Sequence, residues 1–414
     1  MQIEIDQQRL MQEIDTLATI SDVEPPAVTR IVFSEQDLRA RAWLKERFSE
    51  AGLSVREDAA GNVFARWQGA RSELPAVATG SHIDAIPYAG KFDGVVGVLG
   101  GLEAIRALHR SGFRPARSIE LIQFTSEEPT RFGVGCLGSR LLSGVLNPLA
   151  DDSLRDRQGD TLKTVRMNAG FNGELSTVRL PQGFYSAFLE LHIEQGPILD
   201  RENITIGVVT DIAAPASFTV TLEGEGGHAG STFMPGRRDA LCAASELILE
   251  IERLALSSGS RNTVATVGTC EAYPGAINSI PSRVKLGVDL RDTDGDRRDM
   301  VLEKIRHGAG EISQRRQIKV EMIMLNADPP ASSSPRVLSA INNACSEAKV
   351  SSRQIVSRAY HDSLFMSRIA PMAMIFIPCR NGISHRPDEH ASVSDIADGV
   401  EVLARSLAEL SCDT

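Results

Sequence analysis

The chain is poor in aromatic and basic side chains: 5% of its 414 residues are Phe, Trp or Tyr, and 44 Lys and Arg stand against 54 Asp and Glu. A net charge of −10 argues against a binder of phosphate backbones, since counterion release needs clustered cations and single-strand binding needs stacking rings. No run of about 18 apolar residues occurs, the length a membrane helix requires. The opening Met1-Gln-Ile-Glu-Ile-Asp-Gln-Gln-Arg-Leu10 has no basic flank leading into an apolar stretch. No nucleic-acid or membrane partner is therefore expected, and the expected location is cytoplasmic. Six cysteines, at 136, 242, 270, 345, 379 and 412, form no Cys-x-x-Cys pair, which suits free thiols in a reducing compartment better than a disulfide frame or zinc knuckle.

What is present is an ordinary globular composition, 42% hydrophobic and 24% charged, long enough for two or three domains. The first half alternates helix and strand. Ser34 as N-cap, an apolar face at Ala40, Leu44, Phe48 and Ala51, and a stop at Gly52 predict a helix over 35–51. Short apolar runs at 62–67, 75–80, 119–125 and 186–193 read as strands, with helical stretches near 94–110 and 136–145. This alternation predicts an α/β domain with a central mixed sheet between helices.

Near Pro215 the pattern changes. Strands at 218–222, 264–268, 284–290 and 318–324, with helices over about 237–256 and 296–316, predict an inserted α+β open-faced sandwich. Asp328-Pro-Pro-Ala-Ser-Ser-Ser-Pro335 reads as the return linker, followed by an apolar strand at 372–377 and a closing helix over 393–411. The expected domains are 1–212 with 330–414, and 213–329.

Ligand-type residues stand at strand ends and in loops: His82 in Thr79-Gly-Ser-His-Ile-Asp84, Asp93 before Gly94, the pair Glu127-Glu128, His192 in Leu189-Glu-Leu-His-Ile193, and His385 in Gly382-Ile-Ser-His385. Three imidazoles with a bridging and a terminal carboxylate suit two Zn²⁺, Mn²⁺ or Co²⁺ ions. Two such ions activate water and polarise a carbonyl, while a neighbouring carboxylate outside the ligand set carries the proton to a leaving nitrogen. Singly, each residue has a plainer explanation as a turn, a solvated surface or a structural histidine. Their gathering at the ends of apolar strands, where open α/β sheets build their sites, favours chemistry.

Gly80-Ser-His-Ile-Asp-Ala, Lys91-Phe-Asp-Gly-Val-Val-Gly-Val, Thr125-Ser-Glu-Glu-Pro-Thr-Arg-Phe-Gly, Leu191-His-Ile-Glu-Gln-Gly-Pro and Gly226-Gly-His-Ala-Gly together resemble the dinuclear metal amidohydrolases related to aminoacylases and dipeptidases. The similarity runs through nearly the whole chain and lies with the ureido branch, which holds allantoate and ureidoglycolate amidohydrolases and N-carbamoyl-L-amino-acid hydrolases. Pro129-Thr-Arg-Phe, Tyr360-His-Asp-Ser-Leu-Phe-Met366 and Ile375-Phe-Ile-Pro-Cys379 are most similar to the ureidoglycolate type.

The resemblance implies His82, Asp93, Glu128, His192 and His385 as metal ligands, with Asp93 bridging, and Glu127 as the base. It implies Asp84 as a carboxylate orienting a ligand imidazole, with a turn cap as the alternative. It also implies that the insert is a lid through which a homodimer forms. His228, Asn278 and Arg291 would there meet the substrate's oxyanion and carboxylate, some of them from the partner subunit, with Gln195 and His361 as further substrate contacts. The expected substrate is a small ureido or carbamoyl carboxylate that releases ammonia. A peptidase or aminoacylase is a more distant alternative, and a binding module without turnover is opposed by the intact ligand set and Glu127.

Two glycine patterns, Gly133-Val-Gly-Cys-Leu-Gly138 and Gly224-Glu-Gly-Gly-His-Ala229, imitate a dinucleotide fingerprint. Neither joins a strand directly to a helix, as that fingerprint must, so both read as tight turns. The calcium-like run Asp292-Thr-Asp-Gly-Asp296 has Arg297 where the loop needs Gly, and reads as an acidic helix start.

Overall fold

The computed structural model describes residues 1–148 and 152–412. The chain forms two compact units, Met1–Thr210 with Ser332–Thr414, and Asp211–Ala331.

The first unit is built on a nine-stranded sheet among the described residues. Its centre is four apolar strands in the order Met372–Ile377, Tyr185–Ile193, Ala76–His82 and Ile119–Phe124, mutually parallel. Antiparallel strands extend it on both sides, Val63–Trp67 and Ser54–Glu57 on one, Ile206–Ile212 on the other. The inner strands are buried along nearly their whole length, as fits a sheet covered on both faces.

Helix Val95–Arg110 packs against these strands and against helix Val393–Cys412. Glycines let it approach closely: a Cβ on Gly97 would stand 2.5 Å from the Leu191 carbonyl oxygen, and one on Gly101 2.7 Å from Leu121 Cδ1. This packing brings the start of the helix, just after Asp93, to the ends of the inner strands. A helix that the apolar pattern did not reveal, Gln7–Thr19, buries Leu10, Ile14 and Leu17.

The second unit is a four-stranded antiparallel sheet in the order Val264–Tyr273, Arg283–Asp292, Ala214–Glu223, Lys319–Ala327. Helices Ala240–Leu256 and Gly295–Arg316 pack together and on the sheet, enclosing Phe218, Val220, Leu247, Ile251, Leu286 and Ile305. Asp239 and Asp294 cap the two helices. The latter helix accounts for the calcium-like run, since Asp292 is taken up by Arg297, Thr263 and the Asp294 N–H. Strand Val264–Tyr273 runs five residues past the expected end at 268 because its outer half is exposed on both faces and carries no apolar period to read. Among the described residues, no helix is long and apolar enough to cross a membrane.

Candidate active site

The four parallel strands end at one edge of the sheet, and each delivers a candidate residue. Ala76–His82 ends on His82, Tyr185–Ile193 carries His192, Ile119–Phe124 leads to Glu127 and Glu128, and Met372–Ile377 leads to His385. Four residues around this edge, Ser126, Cys136, Gln195 and His385, are non-glycine residues with φ between +53° and +60°, and such backbone strain persists only where the surroundings enforce it.

Asp93 gathers the cluster. Its Oδ1 lies 3.1 Å from His192 Nε2 and 3.6 Å from His82 Nε2, and its Oδ2 lies 3.2 Å from His385 Nε2. The same His385 nitrogen is 3.2 Å from Glu128 Oε1. Two donor groups therefore share one carboxylate: His82, Asp93 and His192 on one side, Asp93, Glu128 and His385 on the other, with ligand atoms in each group within 4.8 Å of one another. His82 Nδ1 is 3.0 Å from the main-chain oxygen of Asp84, and His192 Nδ1 is 2.9 Å from that of Ile193. A carbonyl only accepts, so each ring carries a proton on Nδ1 and turns Nε2 toward Asp93, as a metal-ligating imidazole does.

The electrostatics follow from this crowding. Burial disfavours a charge on His82, yet its hydrogen bond to Asp93 and the nearby Glu127 and Asp84 outweigh burial and raise it well above the ordinary imidazole value. Hydrogen bonds to Asp93 and Glu128 push His385 up to about 11. Burial would raise Asp93, but hydrogen bonds from the three imidazoles hold it well below the usual carboxylate range. The cluster draws positive charge wherever it can. Further carboxylates, Asp84, Glu190 and Asp362, are buried in the same unit, and uncompensated buried charge is costly. Imidazole and carboxylate donors in this surplus of negative charge fit divalent cations of the Zn²⁺ or Mn²⁺ type.

Glu127 lies outside both donor groups, with its Oε2 3.8 Å from His82 Nε2. Burial pushes its carboxyl well above the ordinary value; His82 pulls it down, while Glu128, Asp362 and Asp84 push it up. Its Oε1 is 3.3 Å from Cys136 Sγ. A carboxyl with a raised pKa beside a polar cluster is placed to exchange protons there.

Asp84 sits differently from the expectation that its carboxylate orients His82. That carboxylate is 3.7 Å from Nδ1, and the imidazole is held by the Asp84 main-chain oxygen instead. The carboxylate receives the backbone N–H groups of Glu127 and Glu128 at 3.1 and 3.0 Å. Gln195 donates its amide to Asp93 Oδ2 at 2.7 Å, and its own Oε1 is buried without a hydrogen-bond partner. The buried His361 ring lies edge-on to His192, with centroids 4.6 Å apart.

Sequence reasoning missed several buried polar residues beside the cluster. Glu190 accepts from Ser81 Oγ at 2.8 Å and from Ser363 Oγ at 2.6 Å. Asp362 accepts from Ser139 Oγ at 2.5 Å. Glu389 accepts the N–H of Phe92 and of Asp93. The one available signal was Glu190 itself, a charged residue inside an apolar strand. Gly138, from the fingerprint-like motif, meets no nucleotide: a Cβ there would be 2.1 Å from Asn62 Oδ1.

His228, Asn278 and Arg291 lie in the second unit. His228 and Asn278 are neighbours, because Gly227–His228 pairs with Ser279–Ile280 and Ala229 N–H donates to the Asn278 carbonyl at 2.9 Å. His228 Nδ1 accepts from Gly230 and Ser231 N–H at 3.1 and 3.2 Å, which leaves its proton on the exposed Nε2. Arg291 grips Asp289 through contacts of 2.6 and 3.2 Å.

A parallel-cored α/β sheet bearing a carboxylate-bridged imidazole cluster defines the class of protein: residues 78–409 match the peptidase family M20/M25/M40, and the chain belongs to that family. It is 52% identical to ureidoglycolate hydrolase of Arabidopsis thaliana, over 99% of this chain and 88% of the relative. The solved structure of AtUAH in complex with (S)-hydroxyglycine matches with a TM-score of 0.90 at 52% identity, covering 99% of both chains. N-carbamoyl-L-amino-acid amidohydrolase of Pseudomonas sp. (strain NS671) is 37% identical, with 98% of each chain covered.

Proposed function

We propose that the protein is a dinuclear metal-dependent amidohydrolase that cleaves the ureido C–N bond of ureidoglycolate and releases ammonia, working in the cytoplasm as a homodimer joined through the unit Asp211–Ala331. The observation that carries this reading is Asp93, whose two oxygens face separate imidazole-bearing groups; the 52% identity to a ureidoglycolate hydrolase supports the substrate.

His82, Asp93 and His192, with Glu128 and His385, would hold two ions, Mn²⁺ or Zn²⁺ and possibly Co²⁺. Bound there, the ions would supply Lewis acidity, lowering the pKa of water and polarising the carbonyl to be cleaved. Glu127 takes the proton from the attacking water and delivers it to the departing nitrogen. His228 offers its Nε2–H, and Asn278 its amide, to the oxygen that gains charge as the carbonyl becomes tetrahedral. Arg291, whose Nε and Nη2 meet Asp289 in this structure, would turn its planar fork from Asp289 to the substrate carboxylate, while Gln195 and His361 would border the substrate.

A panel of ureidoglycolate, allantoate and several N-carbamoyl amino acids, assayed for ammonia with each metal restored in turn, tests the assignment. Preference for ureidoglycolate supports it. Preference for a carbamoyl amino acid would favour the second reading, which the 37% identity to a carbamoyl-amino-acid amidohydrolase supports.

A further inference from the structure

Behind the shared carboxylate lies a second layer of contacts formed by residues far apart in sequence. Glu389 is 5% exposed. Its Oε1 accepts the backbone N–H of Phe92 at 2.9 Å and of Asp93 at 3.1 Å, so it holds the turn that presents Asp93. Its Oε2 and Asp93 Oδ2 each lie 2.8 Å from Ser384 Oγ, so the one hydroxyl proton is shared between the two carboxylates. Ser384 immediately precedes His385, which sits at φ +60°. One buried carboxylate thus ties together the turn bearing Asp93 and the loop bearing His385, and a single hydroxyl stands between it and Asp93. The chain makes room for it: a Cβ on Gly90 would stand 2.4 Å from Glu389 Cβ.

We propose that Glu389, acting through Ser384 and the backbone of Phe92 and Asp93, is a positioning residue that fixes the angle of the shared carboxylate between the two metal sites. This rests on the dinuclear reading above. A carboxylate that must serve two ions tolerates little rotation, and Oδ2, the oxygen facing His385, is the one that Ser384 and Gln195 hold. Partners behind a ligand typically contribute about 10- to 100-fold in metal affinity.

The test is Mn²⁺ titration of the full-length, metal-stripped protein by calorimetry, alongside thermal melts without metal. Ser384→Ala should weaken Mn²⁺ binding about 10- to 100-fold while leaving the metal-free melting temperature unchanged, and Ser384→Thr, which keeps the hydroxyl, should restore affinity. Glu389→Leu, which removes both oxygens that meet Ser384 and the Phe92 and Asp93 N–H groups, should weaken Mn²⁺ as well. Wild-type affinity in both Ser384→Ala and Glu389→Leu would overturn the positioning role. A wild-type protein that takes up no Mn²⁺, Zn²⁺ or Co²⁺ would instead overturn the metal reading on which it rests, so the two failures are distinct.

Discussion

Asp84 accepts the backbone N–H of Glu127 through Oδ1 at 3.1 Å and, through Oδ2 at 3.0 Å, that of the next residue, Glu128. The proposed base and the proposed ligand are thus aimed by one fork, set at the end of the strand that supplies His82. Burial pushes Asp84 up to about 6, so it is mostly ionised at neutral pH and presents two acceptors. Asp84→Asn must turn an NH₂ toward one of those N–H groups. The expected result is a loss of about 1–3 kcal/mol in stability and about 10- to 100-fold in ammonia release from metal-loaded enzyme. Wild-type kcat and melting temperature in this variant would show that the fork does not matter.

Glu127→Gln keeps the shape of the side chain and removes its ability to take a proton. Metal content should stay near two ions per chain, because Glu127 lies outside both donor groups. Ammonia release should fall by about 10²- to 10⁴-fold, the usual contribution of a positioned acid–base group. Metal analysis of the purified variant beside its turnover decides the matter, and retained turnover would sink the proton-transfer role.

The parts of this site that the sequence reveals are those whose neighbours along the chain announce them. His82 and His192 end apolar strands, and Asp93 and the Glu pair sit in loops at the same edge. Glu389 offered no such cue, and Asp362 stood inside Tyr360-His-Asp-Ser-Leu-Phe-Met366 without a role of its own; contacts spanning hundreds of residues, Glu389 with Phe92 and Asp362 with Ser139, show where they are buried. Asp84 was found by its place two residues after His82, but its work lies across the sheet at the Glu pair, where no local pattern points. In the fold, the two helices of the inserted unit were legible as long helical stretches, whereas the exposed half of Val264–Tyr273 has no buried face to leave a trace.

Metal binding should depend on pH in a definite direction. In the metal-free protein burial works against charge on His82 and His192, yet the carboxylates raise both, and they push His385 up to about 11, so the His385 ring is protonated near neutrality. A divalent ion needs the neutral ring and must expel that proton. As pH rises toward the His385 value of about 11 its proton leaves more easily, so Mn²⁺ affinity should rise with pH above neutrality. Titration in a weak buffer should show acid released with each ion. Affinity flat across this range, with no proton release, would contradict the imidazole ligand set.

Gly94 separates a local backbone requirement from a site requirement. It adopts φ +67° at the start of helix Val95–Arg110, and a Cβ there would lie 2.4 Å from His82 Nε2. Gly112, just beyond the end of the same helix, has φ +78° and open space where its Cβ would go. Alanine in the left-handed region costs about 1–2 kcal/mol, so Gly112→Ala should lower the melting temperature and leave Mn²⁺ binding intact. Gly94, at φ +67° and ψ −41°, lies outside the left-handed helical region in a tight turn that strains alanine more, and Gly94→Ala must in addition displace either His82 or the turn that holds Asp93. Its melting temperature should fall further, and Mn²⁺ affinity should drop by more than about 10-fold. If the two variants bind Mn²⁺ equally well, the close approach of Gly94 to His82 has no part in building the site.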